Sequence, residues 1–150
     1  MLDSSKPNIL IIIADSLRAD FLSCYGGRVP TQNIDQVASS GIKFENAYSQ
    51  GPQSAVSHAS MFTGRYPSNI GVTRSPEPMK DTTSPTIAGW LRDHGYRTFG
   101  IAGPGKMSSE YGYDRGFHDY YESYNSFPDY LSTDFLKAVI TEPRKRKPLL

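Results

Sequence analysis

The sequence is poor in cysteine, in long apolar runs and in net charge. One cysteine, Cys24, stands among 150 residues, which excludes an internal disulfide and any metal site built from several cysteines. The only strongly apolar run, residues 9–14, is far too short to span a bilayer and lacks the flanks of a signal peptide. A net charge of +1 implies no bulk attraction to nucleic acid or to membranes. We therefore expect a cytoplasmic protein without a nucleic-acid or membrane partner.

The pattern of apolar residues predicts a single α/β domain. The run at 9–13, ILIII, has no alternation and predicts a strand buried on both faces, as in the centre of a parallel sheet. Further strands are predicted at 42–48 and 96–102, and helices at 17–25, 31–40, 57–62, 84–94 and 129–140. Gly41 is predicted to be left-handed after the 31–40 helix. The 84–94 helix is predicted to have Ser84 as its N-cap, Gly95 as its stop and an apolar stripe formed by Ile87, Ala88, Leu91 and Trp90. Residues 65–83 are predicted to be an exposed loop and residues 110–130 an irregular, aromatic-rich segment. Strands interleaved with helices favour a layered α/β sheet.

Two polar residues lie at positions where such a fold carries ligand-binding or catalytic side chains. Residues 48–67, YSQGPQSAVSHASMFTGRYP, set Ser54 in a polar loop just before a helix start, where free N–H groups favour negative charge. That position suits a nucleophile for an anionic ester, and the alternative is an ordinary helix cap. Asp15 follows the first predicted strand, at the edge where open α/β sheets bind ligands, and the alternative is that it caps the next turn.

Several blocks of this sequence together resemble one family. PNILIIIADSLRADFLSCYG, TQNIDQVASSGIKFENAYSQ, SAVSHASMFTGRYP and TIAGWLRDHGYRTFGIAGPGKMSSEYGYDRGF are similar, in order and spacing, to the N-terminal half of the sulfatases, which belong to the alkaline phosphatase superfamily. The resemblance covers about residues 7–121. It implies an alkaline-phosphatase-like layered sheet flanked by helices, of which residues 1–150 would be the N-terminal part of the catalytic domain. Residues 143–150 would form a basic tail.

The resemblance assigns roles to particular residues. Asp15 falls on the first metal-binding carboxylate of the family. Ser54 falls on the nucleophile position, where sulfatases carry a Cys or Ser that is oxidised to formylglycine. The oxidation signal continues with a Pro and an Arg, and this chain has Val56 and His58 at those places. Lys106 matches a family lysine that contacts the sulfate oxygens. The implied catalytic set is therefore Ser54, His58 and Lys106.

The resemblance also implies a divalent metal ion bound by Asp15 and Ser54. Calcium is the first expectation, with manganese or zinc as alternatives. Many sulfatases have a second Asp next to the first, and this chain has Ser16 there. The family takes its remaining ligands from a segment well downstream of the nucleophile, which we do not find before residue 150. The ion would polarise the ester, while His58 and Lys106 would neutralise developing charge.

Three functions follow as alternatives. The first is a sulfatase-like hydrolase of sulfate esters, whose partner would be a small anionic ester. The second is a phosphodiester or phosphonate hydrolase, or a phosphoglycerol-type transferase, in which unmodified Ser54 attacks phosphorus. The third is a catalytically incomplete fragment or a binding module. A partial sheet would also leave an unpaired edge, through which we expect self-association.

Overall fold

The computed structural model describes residues 6–103 and 106–122. The chain divides into two compact units, one formed by Pro7–Ser49 and the other by Met1–Lys6 together with Gln50–Leu150. The helix predicted at 129–140 and the basic tail at 143–150 lie outside the described residues. No helix in the described part of the chain has the length and apolar character needed to cross a membrane.

The Pro7–Ser49 unit contains one α-helix, α1, which spans Gln32–Ser40. This confirms the helix predicted at 31–40. The helix predicted at 17–25 is replaced by two single 3₁₀ turns, Ala19–Phe21 and Ser23–Tyr25, because Leu22 between them is extended. Gly41, expected in the left-handed region after α1, has φ −124° instead.

A partly buried network of hydrogen bonds connects α1 to the turn before it. The Asp35 carboxylate accepts hydrogen bonds from the Ser23 hydroxyl at 2.5 Å, the Cys24 amide at 2.9 Å and the Thr31 hydroxyl at 3.0 Å. These bonds, the one from Ser23 most of all, hold the pKa of Asp35 below its usual value. Because the donors come from residues before α1, the carboxylate fixes the start of the helix against the second 3₁₀ turn.

The strands predicted at 9–13 and 42–48 are absent, so these two predictions are wrong. The side chains of Ile9–Ile13 are 41 to 81% exposed, and those of Ile42 and Phe44 are 83% and 67% exposed. A strand needs a neighbour that accepts and donates its backbone hydrogen bonds. Neither segment has a paired strand among residues 6–103 and 106–122, so the apolar pattern is present without the sheet that would bury it.

The second unit contains three helices: α2 at Ser54–Thr63, α3 at Pro67–Ile70 and α4 at Ile87–Asp93. Helix α2 begins at Ser54, three residues before the predicted start, and therefore includes the residue predicted to lie in a loop. Helix α4 is capped by Thr86, whose hydroxyl oxygen accepts the Gly89 amide at 3.1 Å. The predicted Ser84 cap is therefore two residues early. Gly95, at φ +83°, follows the end of α4, as predicted.

The core of this unit forms around α2. Ala55, Val56 and Ala59 of that helix are at most 4% exposed. They pack with a set of buried apolar residues that lie far along the chain, namely Ile70, Val72, Met79 and Tyr113. The exposed loop predicted at 65–83 is therefore confirmed for most of its residues and wrong for α3 and for the buried Ile70, Val72 and Met79. That segment has no apolar period, but its few apolar side chains fold back onto α2 and bury there.

The two strands of the unit form a small parallel sheet. Strand β1, Phe99–Ala102, pairs with β2, Asp119–Glu122, so that Phe99 lies opposite Asp119 and Ala102 opposite Glu122. Strand β1 confirms the strand predicted at 96–102. Strand β2 lies in the segment predicted to be irregular. The prediction missed this strand because its sequence, DYYE, has no apolar alternation. Helices combined with a parallel sheet confirm the α/β class.

Helix α4 packs through two glycines rather than through its predicted apolar stripe. Gly116 has φ +90°, and a Cβ atom placed on it would lie 2.2 Å from the Gly89 amide nitrogen. Ala88 and Gly89 are buried, whereas Trp90 of the predicted stripe is 52% exposed. The contact therefore depends on the absence of a side chain at Gly116, which leaves no trace in a hydrophobic pattern.

Candidate active site

Ser54 is the first residue of α2. The residue before it, Gln53, is extended at φ −113° and ψ 144°, so the chain turns into the helix at Ser54. The Ser54 side chain is partly buried, while the next two residues, Ala55 and Val56, are buried in the core. The first turn of a helix presents N–H groups without intrahelical acceptors and the positive end of the helix dipole. Ser54 therefore lies at a rigid helix start that favours an anionic ligand.

His58 holds the backbone of Ser54. Its ring is buried, at 8% exposure, and Nδ1 lies 2.7 Å from the Ser54 carbonyl oxygen. A carbonyl oxygen can only accept, so Nδ1 carries the proton, and Nε2 of the neutral ring is then an acceptor. The structure thus brings two predicted catalytic residues together through the main chain. Donation from Nε2 to an ester oxygen, as the sequence predicts, requires the doubly protonated ring.

Tyr113 binds the next carbonyl of the same turn. Its side chain is 1% exposed, and its hydroxyl donates to the Ala55 carbonyl oxygen at 2.7 Å. Burial raises the pKa of Tyr113 to about 12. Its ring also contacts Phe62 of α2 edge to face, with 6.0 Å between centroids. Sequence reasoning missed this residue, for which the tyrosine-rich character of 110–130 was the only signal.

The chain just before Ser54 is held from two sides. The Gln53 side-chain oxygen accepts a hydrogen bond from the Ser75 amide at 2.6 Å. Gly51 lies so close to α2 that a Cβ atom there would be 2.5 Å from Cγ1 of Val56. Both contacts join residues that no local pattern connects. They define the path by which the chain enters α2.

Lys106 lies in the same unit as Ser54 and His58, and its side chain is exposed. The next residue, Met107, packs against the core that contains the buried face of α2. The Met107 carbonyl also accepts the Tyr120 hydroxyl at 2.5 Å. The backbone beside Lys106 is therefore anchored while its ammonium group extends from that surface. Its predicted contact with a sulfate stays a prediction.

Asp15 belongs to the Pro7–Ser49 unit. Its Oδ1 accepts the Ser16 amide at 3.0 Å. Ser16 has φ +62°, a left-handed conformation that is uncommon for a residue other than glycine. The main chain thus makes a sharp turn immediately after Asp15, the predicted metal-binding carboxylate. The joint role of Asp15 and Ser54 in binding a metal stays a prediction.

The described residues do not form a complete metal site. No group of three or more His, Cys, Asp or Glu side chains within residues 6–103 and 106–122 could hold an ion. A hard cation such as calcium takes about 6–8 oxygen ligands, and Asp15 and Ser54 alone are too few. The residues present therefore do not fit the metal by themselves.

Comparison with known proteins agrees with the resemblance read from the sequence. The family model named Sulfatase matches residues 7–140. The chain is 41% identical over 106 residues to the N-acetylgalactosamine-6-O-sulfatase of Bacteroides thetaiotaomicron, covering 67% of this chain and 20% of that protein. It is 35% identical to the iduronate 2-sulfatase of Mus musculus, covering 77% of this chain and 22% of that protein. The chain thus spans about one-fifth of the length of these relatives.

A solved structure shows the same fold. It is a protein in complex with its substrate, D-glucosamine-2-N,6-O-disulfate, and it is 29% identical to this chain with a TM-score of 0.59. The match covers 68% of this chain and 20% of that protein. The reported relatives are named as sulfatases, which does not favour the phosphoester-cleaving alternatives. Because the family model matches residues 7–140, this chain belongs to the sulfatase family.

Proposed function

We propose that this chain carries the nucleophile region of a hydrolase of sulfate esters, with Ser54 at the nucleophile position. The observation that carries the proposal is the placement of Ser54 as the first residue of α2. There its backbone is held by His58 at 2.7 Å and followed by the buried Ala55. A nucleophile must be fixed relative to the ester, and a helix start also supplies partial positive charge for the oxygens.

In this proposal each side chain has a distinct task. The Ser54 oxygen bonds to the sulfur as the ester S–O bond breaks, the hydroxyl proton passes to the departing alcohol, and water then releases sulfate and restores Ser54. The N–H groups of the first turn of α2 and the ammonium group of Lys106 stabilise charge on the sulfate oxygens. His58 binds the Ser54 carbonyl and so holds the backbone that carries the hydroxyl. Val56 and His58 replace the Pro and Arg of the oxidation signal, and this favours unmodified Ser54.

The substrate class that we propose is a small 6-O-sulfated amino sugar. Relatives are named as sulfatases of N-acetylgalactosamine-6-O-sulfate and N-acetylglucosamine-6-O-sulfate. The similar solved structure contains a glucosamine that is sulfated at N2 and O6. These names describe the relatives, and they support the proposal by similarity alone.

The sulfatase family suggests a divalent metal ion, and we propose calcium. Asp15 and Ser54 are the residues of this chain that would contribute to its site, because hard cations prefer oxygen ligands. Manganese and zinc are the alternatives.

The experiment that tests this proposal measures turnover of 4-nitrophenyl sulfate and of bis(4-nitrophenyl) phosphate with added calcium, manganese or zinc. Hydrolysis of the sulfate that is lost in Ser54→Ala and kept in Ser68→Ala, an exposed serine of α3, is the expected result. Mass spectrometry of the Ser54 peptide then separates an intact serine from formylglycine. Hydrolysis that survives in Ser54→Ala would overturn the assignment.

A catalytically incomplete fragment or binding module is the second candidate. The observation that favours it is the missing third metal ligand among the described residues. In that case the chain binds a sulfated sugar, measured by titration calorimetry, without releasing sulfate under any of the three metals.

A further inference from the structure

A loop of the second unit lies beside the start of α2. The Ser75 amide donates to the Gln53 side chain at 2.6 Å, and Gln53 immediately precedes Ser54. Both flanks of the loop are anchored, because Val72 is 0% exposed and Met79 is 5% exposed in the core that α2 shares. Residues 73–77 are therefore held next to the proposed nucleophile by the fold itself.

Glu77 gives this loop a fixed shape. Its carboxylate accepts the Thr73 amide at 2.8 Å and the Arg74 amide at 3.1 Å. These backbone bonds, led by the one from Thr73, hold the pKa of Glu77 below its usual value. The Glu77 side chain is only 15% exposed. Its negative charge is thus directed mainly at the main chain of the loop.

The Arg74 side chain extends from this rigid loop into solvent. It is 80% exposed and touches Glu77 only through Nε, at 3.3 Å. A guanidinium group has further N–H donors in a planar fork that matches a sulfate or a carboxylate. Among the described residues the Arg74 guanidinium has no second hydrogen-bond partner. A cationic fork with unused donors therefore extends from the loop whose Ser75 amide binds Gln53, the residue that precedes Ser54.

We infer that Arg74 is a specificity-determining residue that binds a second anionic group, a sulfate or a carboxylate, on the sugar whose ester lies at Ser54. The inference rests on the proposed function in one respect, the binding of the ester beside Ser54. It adds that doubly anionic sugars bind better than singly anionic ones. The preference comes from a loop that the core and Gln53 hold in place.

Titration calorimetry tests this on the full chain carrying Ser54→Ala, so that no ligand is consumed. The probes are N-acetylgalactosamine-6-sulfate and N-acetylgalactosamine-4,6-disulfate, each with added calcium. We expect the disulfate to bind about tenfold more tightly, as a charge-assisted hydrogen bond provides. Arg74→Gln should bring the two dissociation constants together, and Arg74→Lys should keep part of the preference.

Arg92→Gln is the matched control. Arg92 is also an exposed arginine with one Nε contact to a carboxylate, Asp93, at 3.2 Å, so its loss changes the net charge equally. The preference should survive this change. Equal ratios in Arg74→Gln and Arg92→Gln would overturn the inference while leaving the proposed function intact. Failure of the unaltered chain to bind either sugar would overturn both, and an Arg74-dependent preference without any turnover would overturn the catalytic proposal alone.

Discussion

The hydroxyl of Tyr113 donates a hydrogen bond to the Ala55 carbonyl oxygen at 2.7 Å, across 58 positions of the chain. Ala55 directly follows Ser54, and His58 binds the Ser54 carbonyl at the same distance of 2.7 Å. Two buried side chains thus bind two successive carbonyls in the first turn of α2. The backbone that carries the proposed nucleophile is therefore held partly by a residue from the aromatic-rich segment that contains β2.

Tyr113→Phe should lower the free energy of unfolding at pH 7 by about 1 kcal/mol, because one buried hydrogen bond is lost while the ring stays packed. Urea unfolding followed by circular dichroism measures this. Tyr66→Phe, at an exposed tyrosine, is the control and should change the free energy little. Equal stability of the Tyr113→Phe and unaltered proteins would show that the bond contributes nothing.

The same variant should change the response to alkaline pH. An unfolded tyrosine loses its proton near pH 10, whereas the pKa of folded Tyr113 is raised to about 12. The folded state therefore favours the protonated phenol, and its contribution is complete below pH 10 and is lost as the pH rises towards 12. Burial raises the pKa of Tyr120 as well. Unfolding free energies between pH 9 and 11 should fall less steeply in Tyr113→Phe than in the unaltered chain.

Gly116→Ala should destabilise the protein by about 3 kcal/mol, through both overpacking and a left-handed backbone. The added Cβ would lie 2.2 Å from the Gly89 amide nitrogen at φ +90°. Gly112→Ala is the matched control, because Gly112 has φ +81° but no neighbour nearer than 3.7 Å. That control should cost only about 1 kcal/mol. Thermal unfolding that ranks the two variants equally would contradict the close contact between α4 and Gly116.

Gly51→Ala should displace the entry into α2 and cost about 2 kcal/mol, because the new Cβ would lie 2.5 Å from Cγ1 of Val56. Val56→Ala in the same chain removes that atom. We therefore expect the double variant to be more stable than the sum of the two single changes predicts. A complete double-mutant cycle by urea unfolding measures the coupling, and strict additivity would refute the contact.

Asp81→Asn should lower the free energy of unfolding at neutral pH. That free energy should also fall less in the variant than in the unaltered chain as the pH is lowered. The Asp81 carboxylate accepts hydrogen bonds from Ser84 and from the amide and hydroxyl of Thr83. These bonds, the Ser84 hydroxyl first, hold its pKa well below the usual 3.8. The contribution is therefore complete above pH 3.8 and is lost as the pH falls below it. Unfolding free energies measured between pH 2 and pH 7 test this, with Asp93→Asn, at an exposed carboxylate, as the charge-matched control. The same pH dependence in Asp81→Asn and in the unaltered chain would contradict the prediction.

Self-association remains a prediction. The surface that we expect to mediate it is the exposed run at 9–13 and not the sheet edge expected from the sequence. The side chains of Ile9–Ile13 are exposed without forming a strand, and contiguous exposed apolar side chains favour association. Leu10→Ser with Ile12→Ser should reduce concentration-dependent association in sedimentation velocity. Val37→Ser, at an exposed apolar residue of α1, is the control. A monomer at every concentration in the unaltered chain would refute the prediction.

Local sequence signals were sufficient for several elements. The helix at Gln32–Ser40, the strand at Phe99–Ala102 and the glycine stop at Gly95 follow from residues within a few positions of one another. Such signals act through backbone conformation and capping, which neighbours in sequence control. The nucleophile position of Ser54 came from the order of sulfatase-like blocks around it. These features belong to the sequence alone.

Other features were decided only by the tertiary structure. The burial of Ile70, Val72 and Met79 was missed, as was the burial of Tyr113, because each packs against α2 from a distant part of the chain. The run at 9–13 is the opposite case, because it was predicted to be buried and is exposed. A buried strand requires neighbouring strands that its own composition cannot provide. The sequence by itself determined the family and the α/β class, and it predicted Ser54 as the nucleophile. Long-range packing, which no local pattern encodes, decided how that serine is held and which side chains lie around it.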